Sequence, residues 1–376
     1  MDNLAHSLAG LAAAKAGLDK LSPGATTLCI LAANAPDADV FVLLFSDRWS
    51  FLQYHRGITH SIFGTLVLAL VLPLIFHFSD RLVARVRGRQ PTTRLKGLLL
   101  ASLVVTATHP LMDWTNNYGV RLLLPWSGQW FYGDLVFIID PFIWLILGGA
   151  AFLLTSKSKW QIGIWLLPTL VLTYLVLTAS AERGVTNAFL LRAVWIVGLC
   201  ALAISFRLGV AKKWEHRIAF AALALVVLYW GGLAGLHALA LRETRLAAAA
   251  IASQNGESVT DLAAMPTLAN PFQWQSVVET ERAAYRFDLS LLRTERNFSG
   301  IVRHERADAA ASEVVARAEQ DWRAKIFLGF ARFPVVRVAG ADCATQTLVQ
   351  FADLRYTEPG KSRGTFTLDV PVDCPK

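Results

Sequence analysis

Aspartate and histidine recur in the first third of this 376-residue chain in spacings suited to holding a divalent cation. The run Asn34-Ala-Pro-Asp37-Ala-Asp39 puts two carboxylates in the otherwise apolar stretch CILAANAPDADVFVLLF. Pro36 breaks or kinks the helix beside them and exposes backbone groups there. The run His55-Arg56-Gly57-Ile58-Thr59-His60-Ser61 carries two imidazoles off a common helix face, and a turn at Gly57 can aim both at one point. Thr59 or Ser61 is suited to cap the helix that follows. Arg56 either binds a phosphate oxygen or pairs with an aspartate. In His109-Pro-Leu-Met-Asp113 the i,i+4 spacing sets both side chains on one helix face. Carboxylate and neutral imidazole together suit divalent metals, and ionisable groups within apolar spans are costly and usually functional. His6, on an Ala-rich helix, joins the set as a ligand. Asp140, before Pro141, is either a helix N-cap or part of the site, as a ligand or as the partner that orients a ligand imidazole; Asp134 carries the same alternatives. His77, His216, His237 and His304 do not converge with the others and are expected to be structural or solvated.

These residues sit in a chain that is 54% hydrophobic and 17% charged, with a mean hydropathy of +0.43. A soluble domain has about 25% charged residues, so the composition argues against a soluble enzyme, a disordered chain or a fibre. Apolar runs near 26–45, 62–78, 97–112, 135–154, 160–180, 190–206 and 218–241 approach the ~20 residues needed to cross a bilayer. With the weaker run 3–20, eight membrane helices are expected. His6 and Lys15 interrupt that first run and no basic segment precedes it, so it is not read as a signal peptide. Residues 1–242 hold 20 Lys+Arg and 11 Asp+Glu, a balance of +9; the remaining 16 and 17 give −1. Excess positive charge among apolar segments fits cytoplasmic loops, and no basic stripe for nucleic acid is evident. With eight crossings, Lys15 and Lys20, the Asp80–Lys96 loop, Lys157 and Lys159, and the Arg207–Arg217 loop share the cytoplasmic side. The His/Asp residues then lie toward the outer side.

The expected organisation is an all-α multi-pass membrane domain of about eight helices over 1–242, a linker over 243–275 and a small α+β domain outside the cytoplasm over 276–376. Strands are expected over Ser276–Leu292, Ile326–Val338, Thr345–Tyr356 and Thr365–Val372, with a helix over Ala309–Lys325. Cys29 and Cys200 read as small core residues. Cys343 and Cys374 form either a disulfide or two free thiols.

An N-terminal histidine helix followed by NxPDxD, HRGxTHS and HxxxD resembles the YdjM-like family of predicted membrane-bound metal-dependent hydrolases, over about residues 1–155. The resemblance implies metal-dependent hydrolysis, with His6, Asp37, Asp39, His55, His60, His109 and Asp113 as matching positions. More distantly, the pattern is similar to the zinc phospholipase C and P1 nuclease group, which implies phosphoester chemistry.

The leading reading is a phosphoesterase-type hydrolase of the bacterial inner membrane, holding one to three divalent ions, zinc first, with manganese or magnesium as alternatives. Asp39 would bridge metals, act as a base or orient an imidazole, and Arg56 would stabilise substrate negative charge. A lipid or lipid-linked phosphoester would reach the site by lateral diffusion. The alternatives are a transporter or metal-handling protein using the same residues, or an anchor for a partner-binding outer domain. Oligomeric state is not legible.

Overall fold

The computed structural model describes residues 1–182, 188–292, 299–306, 309–339, 346–361 and 366–373. The chain forms two compact units. The first comprises Met1–Ala38, Arg56–Gly235 and Pro266–Pro271; the second comprises Asp39–His55, Leu236–Met265 and Phe272–Lys376.

In chain order the helices are α1 (Asn3–Lys15), α2 (Ala25–Asn34), α3 (Arg48–Tyr54), α4 (Ile62–Val86), α5 (Leu95–Trp114), α6 (Pro141–Thr155), α7 (Lys159–Glu182), α8 (Ala188–Arg207) and α9 (Val210–Asn255). Five of them, α4, α5, α7, α8 and α9, contain a stretch long and apolar enough to cross a membrane. The count becomes six if α2 and the 3-10 segment Pro36–Leu44, bent by 61° at the break, make one span. Among the described residues five or six stretches thus meet this test, against the eight crossings expected. α1 has 13 residues, which at 1.5 Å each is about 20 Å, short of a ~30 Å hydrocarbon core. It stops because Gly17, at φ 136°, turns the chain into the 3-10 turn Leu18–Lys20. α6 is also short, and its middle turn, Trp144–Gly148, is a π-helix.

The N-terminal helices pack through small side chains. A Cβ at Gly10 of α1 would lie 2.6 Å from the Cys29 carbonyl oxygen of α2. Around that contact Ala13, Ala14, Cys29, Ala32 and Ala33 pack with Ala101 and Val105 of α5. Apolar side chains gain little by leaving lipid, so close backbone approach is what binds such helices together. Cys29 is buried as expected, whereas Cys200 on α8 is exposed. A membrane helix can turn apolar residues toward lipid, so hydropathy alone did not distinguish the two.

The second unit carries a four-stranded sheet of β1 (Val259–Thr267), β2 (Asn270–Thr280), β3 (Ala283–Ser290) and β4 (Ser299–Glu305), in that order. A three-stranded sheet follows, with β5 (Pro334–Ala339), β6 (Gln346–Asp353) and β7 (Thr367–Asp373). Two helices, α10 (Ala309–Ala318) and α11 (Trp322–Phe330), lie between β4 and β5 in sequence. Trp274, Phe287, Phe327, Phe330, Phe333 and Phe351 are fully buried. On β7 Leu368, Val370 and Val372 are buried while Asp369, Pro371 and Asp373 are exposed, the alternation of a half-buried strand.

Four expectations differ from the structure. Ser276–Leu292 is not one strand but the end of β2, a turn and the antiparallel β3. The helix expected over Ala309–Lys325 breaks after Ala318 into α10 and α11. The other two concern the linker and the next strand. The stretch 243–275 is not an irregular linker: α9 continues to Asn255, and β1 and the start of β2 follow. Ala247, Ala248 and Ile251 of that helical extension pack on Val278, Tyr285 and Phe287. The run Ile326–Val338 begins in α11 rather than in a strand. Asp321 caps that helix by accepting from the Arg323 N–H, and Ala324, Phe327 and Phe330 recur on its buried face. Cys343, Cys374 and the starts of the strands expected at Thr345 and Thr365 lie outside the described residues.

Candidate metal centre

Three breaks in regular structure assemble the cluster. Pro36 ends α2 and opens the 3-10 segment that carries Asp37. Residues Ile58–His60 form a 3-10 turn, after which Ser61 caps α4 by accepting from the Gly64 N–H at 3.0 Å. A Cβ at Gly64 would collide with the Ile58 carbonyl, so glycine there lets the turn fold back onto the helix. The last turn of α5 supplies His109 and Asp113 on one face.

Asp37, His60, His109 and Asp113 each present one ligand atom, and these atoms all lie within 4.8 Å of one another. All four residues are buried. Nε2 of His60 is 3.3 Å from Asp37 Oδ1 and 3.2 Å from Asp113 Oδ2. Nε2 of His109 is 3.5 Å and 3.4 Å from the same two oxygens, and 3.1 Å from Nε2 of His60. Nδ1 of His109 lies 2.6 Å from the Ala33 carbonyl oxygen. A carbonyl can only accept, so the His109 proton sits on Nδ1 and the Nε2 lone pair faces the cluster. Thr59 Oγ1 stands 3.1 Å from Nδ1 of His60.

His6 completes this side. Its Nε2 is 3.3 Å from Asp113 Oδ1, and its ring stacks on His109 with centroids 3.8 Å apart. The Met1 α-amino group pairs with the same Oδ1. Arg56 reaches that oxygen too, with Nη2 at 3.1 Å. Arg56 is 3% exposed and held at φ 53°, a backbone conformation uncommon outside glycine. Its Nη1 donates to Asn116 Oδ1 at 2.9 Å, and its guanidinium lies over the Tyr118 ring at 4.6 Å. Met1, His6 and Arg56 thus gather on Oδ1 of Asp113, while Oδ2 faces the imidazoles of His60 and His109.

Asp39 and His55 pair, with Nδ1 of His55 3.0 Å from Asp39 Oδ1 and the His55 ring stacked on Phe51. Asp140 caps α6, accepting from the Phe142 and Ile143 N–H groups and from the Tyr229 hydroxyl at 2.9 Å. Asp134 is buried at φ 52°, beside backbone bonds from Gly133 to Trp114 and from Leu135 to Thr115. Of the histidines set aside, His77 pairs with Thr93, His216 with the Lys15 carbonyl, and His237 stacks on Trp274. The sequence reading missed Asn116, Tyr118 and the Ala33 carbonyl. The polar run Asn116-Asn117-Tyr118 after α5 was the available signal for the first two; a backbone carbonyl leaves none.

The donor set fits a metal ion. Zinc bonds of about 2.0–2.1 Å to nitrogen and oxygen, arranged tetrahedrally, separate neighbouring ligand atoms by about 3.3–3.4 Å. The imidazole–carboxylate separations here run from 3.2 to 3.5 Å. Two carboxylates and the His109 lone pair facing one point inside the protein also favour positive charge between them.

Residues 1–185 match the YdjM inner membrane protein family. That region contains every residue of the cluster. The chain is 29% identical over 130 residues to the uncharacterized protein YfhP of Bacillus subtilis, covering 34% of this chain and 36% of YfhP. It is 34% identical over 119 residues to the inner membrane protein YbcI of Escherichia coli, covering 30% of this chain and 61% of YbcI. The chain thus spans about a third of one relative and three fifths of the other. No solved structure matches it. The likeness to the zinc phospholipase C and P1 nuclease group rests on residue pattern alone.

Proposed function

We propose that this protein is a membrane-bound, metal-dependent hydrolase that cleaves a phosphoester of a lipid or lipid-linked substrate at the outer face of the inner membrane. The observation that carries the reading is the buried convergence of Asp37, His60, His109 and Asp113 on one point. These four residues would hold the ion, zinc by ligand type and spacing, with His6 beside them. A divalent ion in such a site lowers the pKa of a bound water to about 7 and shields charge on a phosphoryl oxygen.

The chain's own groups prepare that chemistry. The Ala33 carbonyl fixes the His109 tautomer and ring direction. Arg56 holds Asp113 by Oδ1 and leaves Oδ2 toward the imidazoles. Asp39 orients the His55 ring through Nδ1. Arg56 is engaged with Asp113, Asn116 and Tyr118, which supports a positioning role over a direct contact with substrate charge.

The orientation follows from charge. Six basic residues from Arg81 to Lys96 crowd the ends of α4 and α5 that adjoin their connection. Positive charge marks the cytoplasmic side, so the opposite ends of α4 and α5, which bear the cluster, face outward. The names of the YdjM family and of YbcI support the inner membrane as the location. A cysteine introduced at exposed Gln129, in the connection that follows α5, in a variant lacking native thiols, is expected to react with an impermeant maleimide in intact cells. Labelling only after lysis would reverse the orientation.

Turnover tests the function. Purified wild-type protein, supplied with zinc or manganese, is expected to hydrolyse a lipid phosphoester, and Asp37→Asn and His109→Ala are expected to lose more than a hundredfold in rate. Equal activity in either variant would overturn the assignment. One observation favours transport as a second reading: Ser102 and Thr106 continue the line of His109 and Asp113 along α5, and their buried hydroxyls find no hydrogen-bond partner among the described residues. Cation flux in proteoliposomes without any turnover would select it.

A further inference from the structure

A cavity of about 270 Å³ lies among α1, α6, α7 and α8, lined by Leu4, Leu8, Gly148, Phe152, Leu199 and neighbouring side chains. Its few polar lining groups are already bonded elsewhere. Nε1 of Trp144 donates to the Asp2 carboxylate at 3.1 Å, and Nε1 of Trp165 donates to Thr155 Oγ1 at 2.7 Å. Nε1 of Trp195 donates to Thr173 Oγ1 at 3.0 Å, and the Thr169 hydroxyl donates to the Trp165 carbonyl at 2.7 Å. A polar ligand would lose its hydration here and gain no hydrogen bond from these groups. The cavity therefore selects a ligand with no polar groups in its buried part.

Two features keep the space open. The π-helical turn Trp144–Gly148 widens α6, and Gly148 has no side chain to fill the gap: a Cβ there would meet only Leu8 Cδ1, at 3.7 Å. The adjacent Gly149 and the facing Gly198 are different, because a Cβ at either would press into Leu202 or Leu145. The rim includes Leu166 of α7, which is 55% exposed. The cavity is thus continuous with a helix face turned to the bilayer.

We infer that this cavity binds one hydrocarbon chain of a membrane lipid, entering sideways past Leu166. The driving force is packing rather than hydrophobicity, because lipid tails are as apolar as the lining. An empty void forfeits the dispersion contacts that a chain restores. The position also bears on the candidate metal centre. Leu4 and Leu8 share one face of α1, and His6, between them in sequence, projects from the opposite face toward Asp113. α1 therefore separates the hydrocarbon site from the cluster. That the bound chain belongs to the substrate rests on the hydrolase reading; that a chain binds does not.

The test uses full-length protein in phosphatidylcholine vesicles that contain a phospholipid with a diazirine at the end of one acyl chain. After photolysis, crosslinks are mapped by mass spectrometry. Wild type is expected to be labelled on the peptides of Leu4–Leu8 and Gly148–Phe152, and on the outward α7 residues Leu167 and Leu170. Gly148→Leu, which fills the space, is expected to lose the first two labels several-fold and keep the outer ones. Gly163→Leu adds the same side chain where nothing lies within 4 Å and is expected to match wild type. Leu166→Trp narrows the mouth from an exposed position and is expected to act as Gly148→Leu does, which covers the case of a misfolded first variant. Outer labels without cavity labels in wild type, or cavity labels unchanged in both filling variants, would overturn the site. Bound metal, measured on the same samples, reports separately on the hydrolase reading.

Discussion

Protein purified in detergent without chelator is expected to carry near-stoichiometric divalent metal, and a His60→Ala/His109→Ala variant almost none. The two Nε2 atoms are 3.1 Å apart, and each lies within 3.5 Å of both Asp37 Oδ1 and Asp113 Oδ2. With the His109 proton held on Nδ1 by the Ala33 carbonyl, its Nε2 offers a lone pair and cannot donate. Bringing that lone pair against carboxylate oxygens away from water is unfavourable unless a cation neutralises them. Removing both imidazoles deletes half of the four ligands while Asp37 and Asp113 remain. Elemental analysis of wild type and variant, matched for monodispersity, checks this. Wild type that stays empty after incubation with zinc and manganese would remove the main support for metal chemistry. Metal retained by the variant would place the ion elsewhere.

The second large effect is expected at Arg56. Arg56→Met is expected to destabilise the protein by about 3–5 kcal/mol, the usual cost of removing one partner from a buried ion pair. The carboxylate it leaves behind, Asp113, has a fully buried side chain, and that of Arg56 is 4% exposed. Arg56→Lys is expected to recover only part of the loss. A single ammonium cannot bond Asp113 and Asn116 in the fork geometry of the guanidinium or stack on Tyr118 in the same way. Thermal unfolding in detergent measures the stability change, and steady-state kinetics adds the decisive comparison. A positioning role lowers stability, metal retention and kcat together. A direct contact with substrate phosphate would instead raise KM and leave stability and metal content at wild-type values.

Much of the site was legible because its logic is local. The i,i+4 spacing of His109 and Asp113 puts both on one face of α5, Pro36 ends α2 beside Asp37, and Ser61 caps α4 next to His60. Each is a short-range constraint, and each appears in the structure. Span number was less legible: hydropathy records that a segment is apolar, not whether it is long enough to cross, and α1 and α6 are apolar but short. The Ser-, Asn- and Gly-containing stretch after residue 252 read as a linker, yet it closes α9 and enters a β-hairpin. There the pairing partners lie on another strand, and no local spacing announces them.

By itself the sequence determined the ligand types, their short-range spacing and the apolar setting that makes them costly to leave without a role. Only the tertiary structure decided how they are apportioned. His60 joins Asp37, His109 and Asp113, whereas His55 pairs with Asp39; Asp140 caps a helix and bonds Tyr229. The His60 assignment depends on Gly64 admitting the Ile58 carbonyl, and the His109 tautomer on the Ala33 carbonyl. Both are contacts of backbone atoms, and backbone atoms are the same at every position of a sequence; only folding brings particular ones to particular side chains.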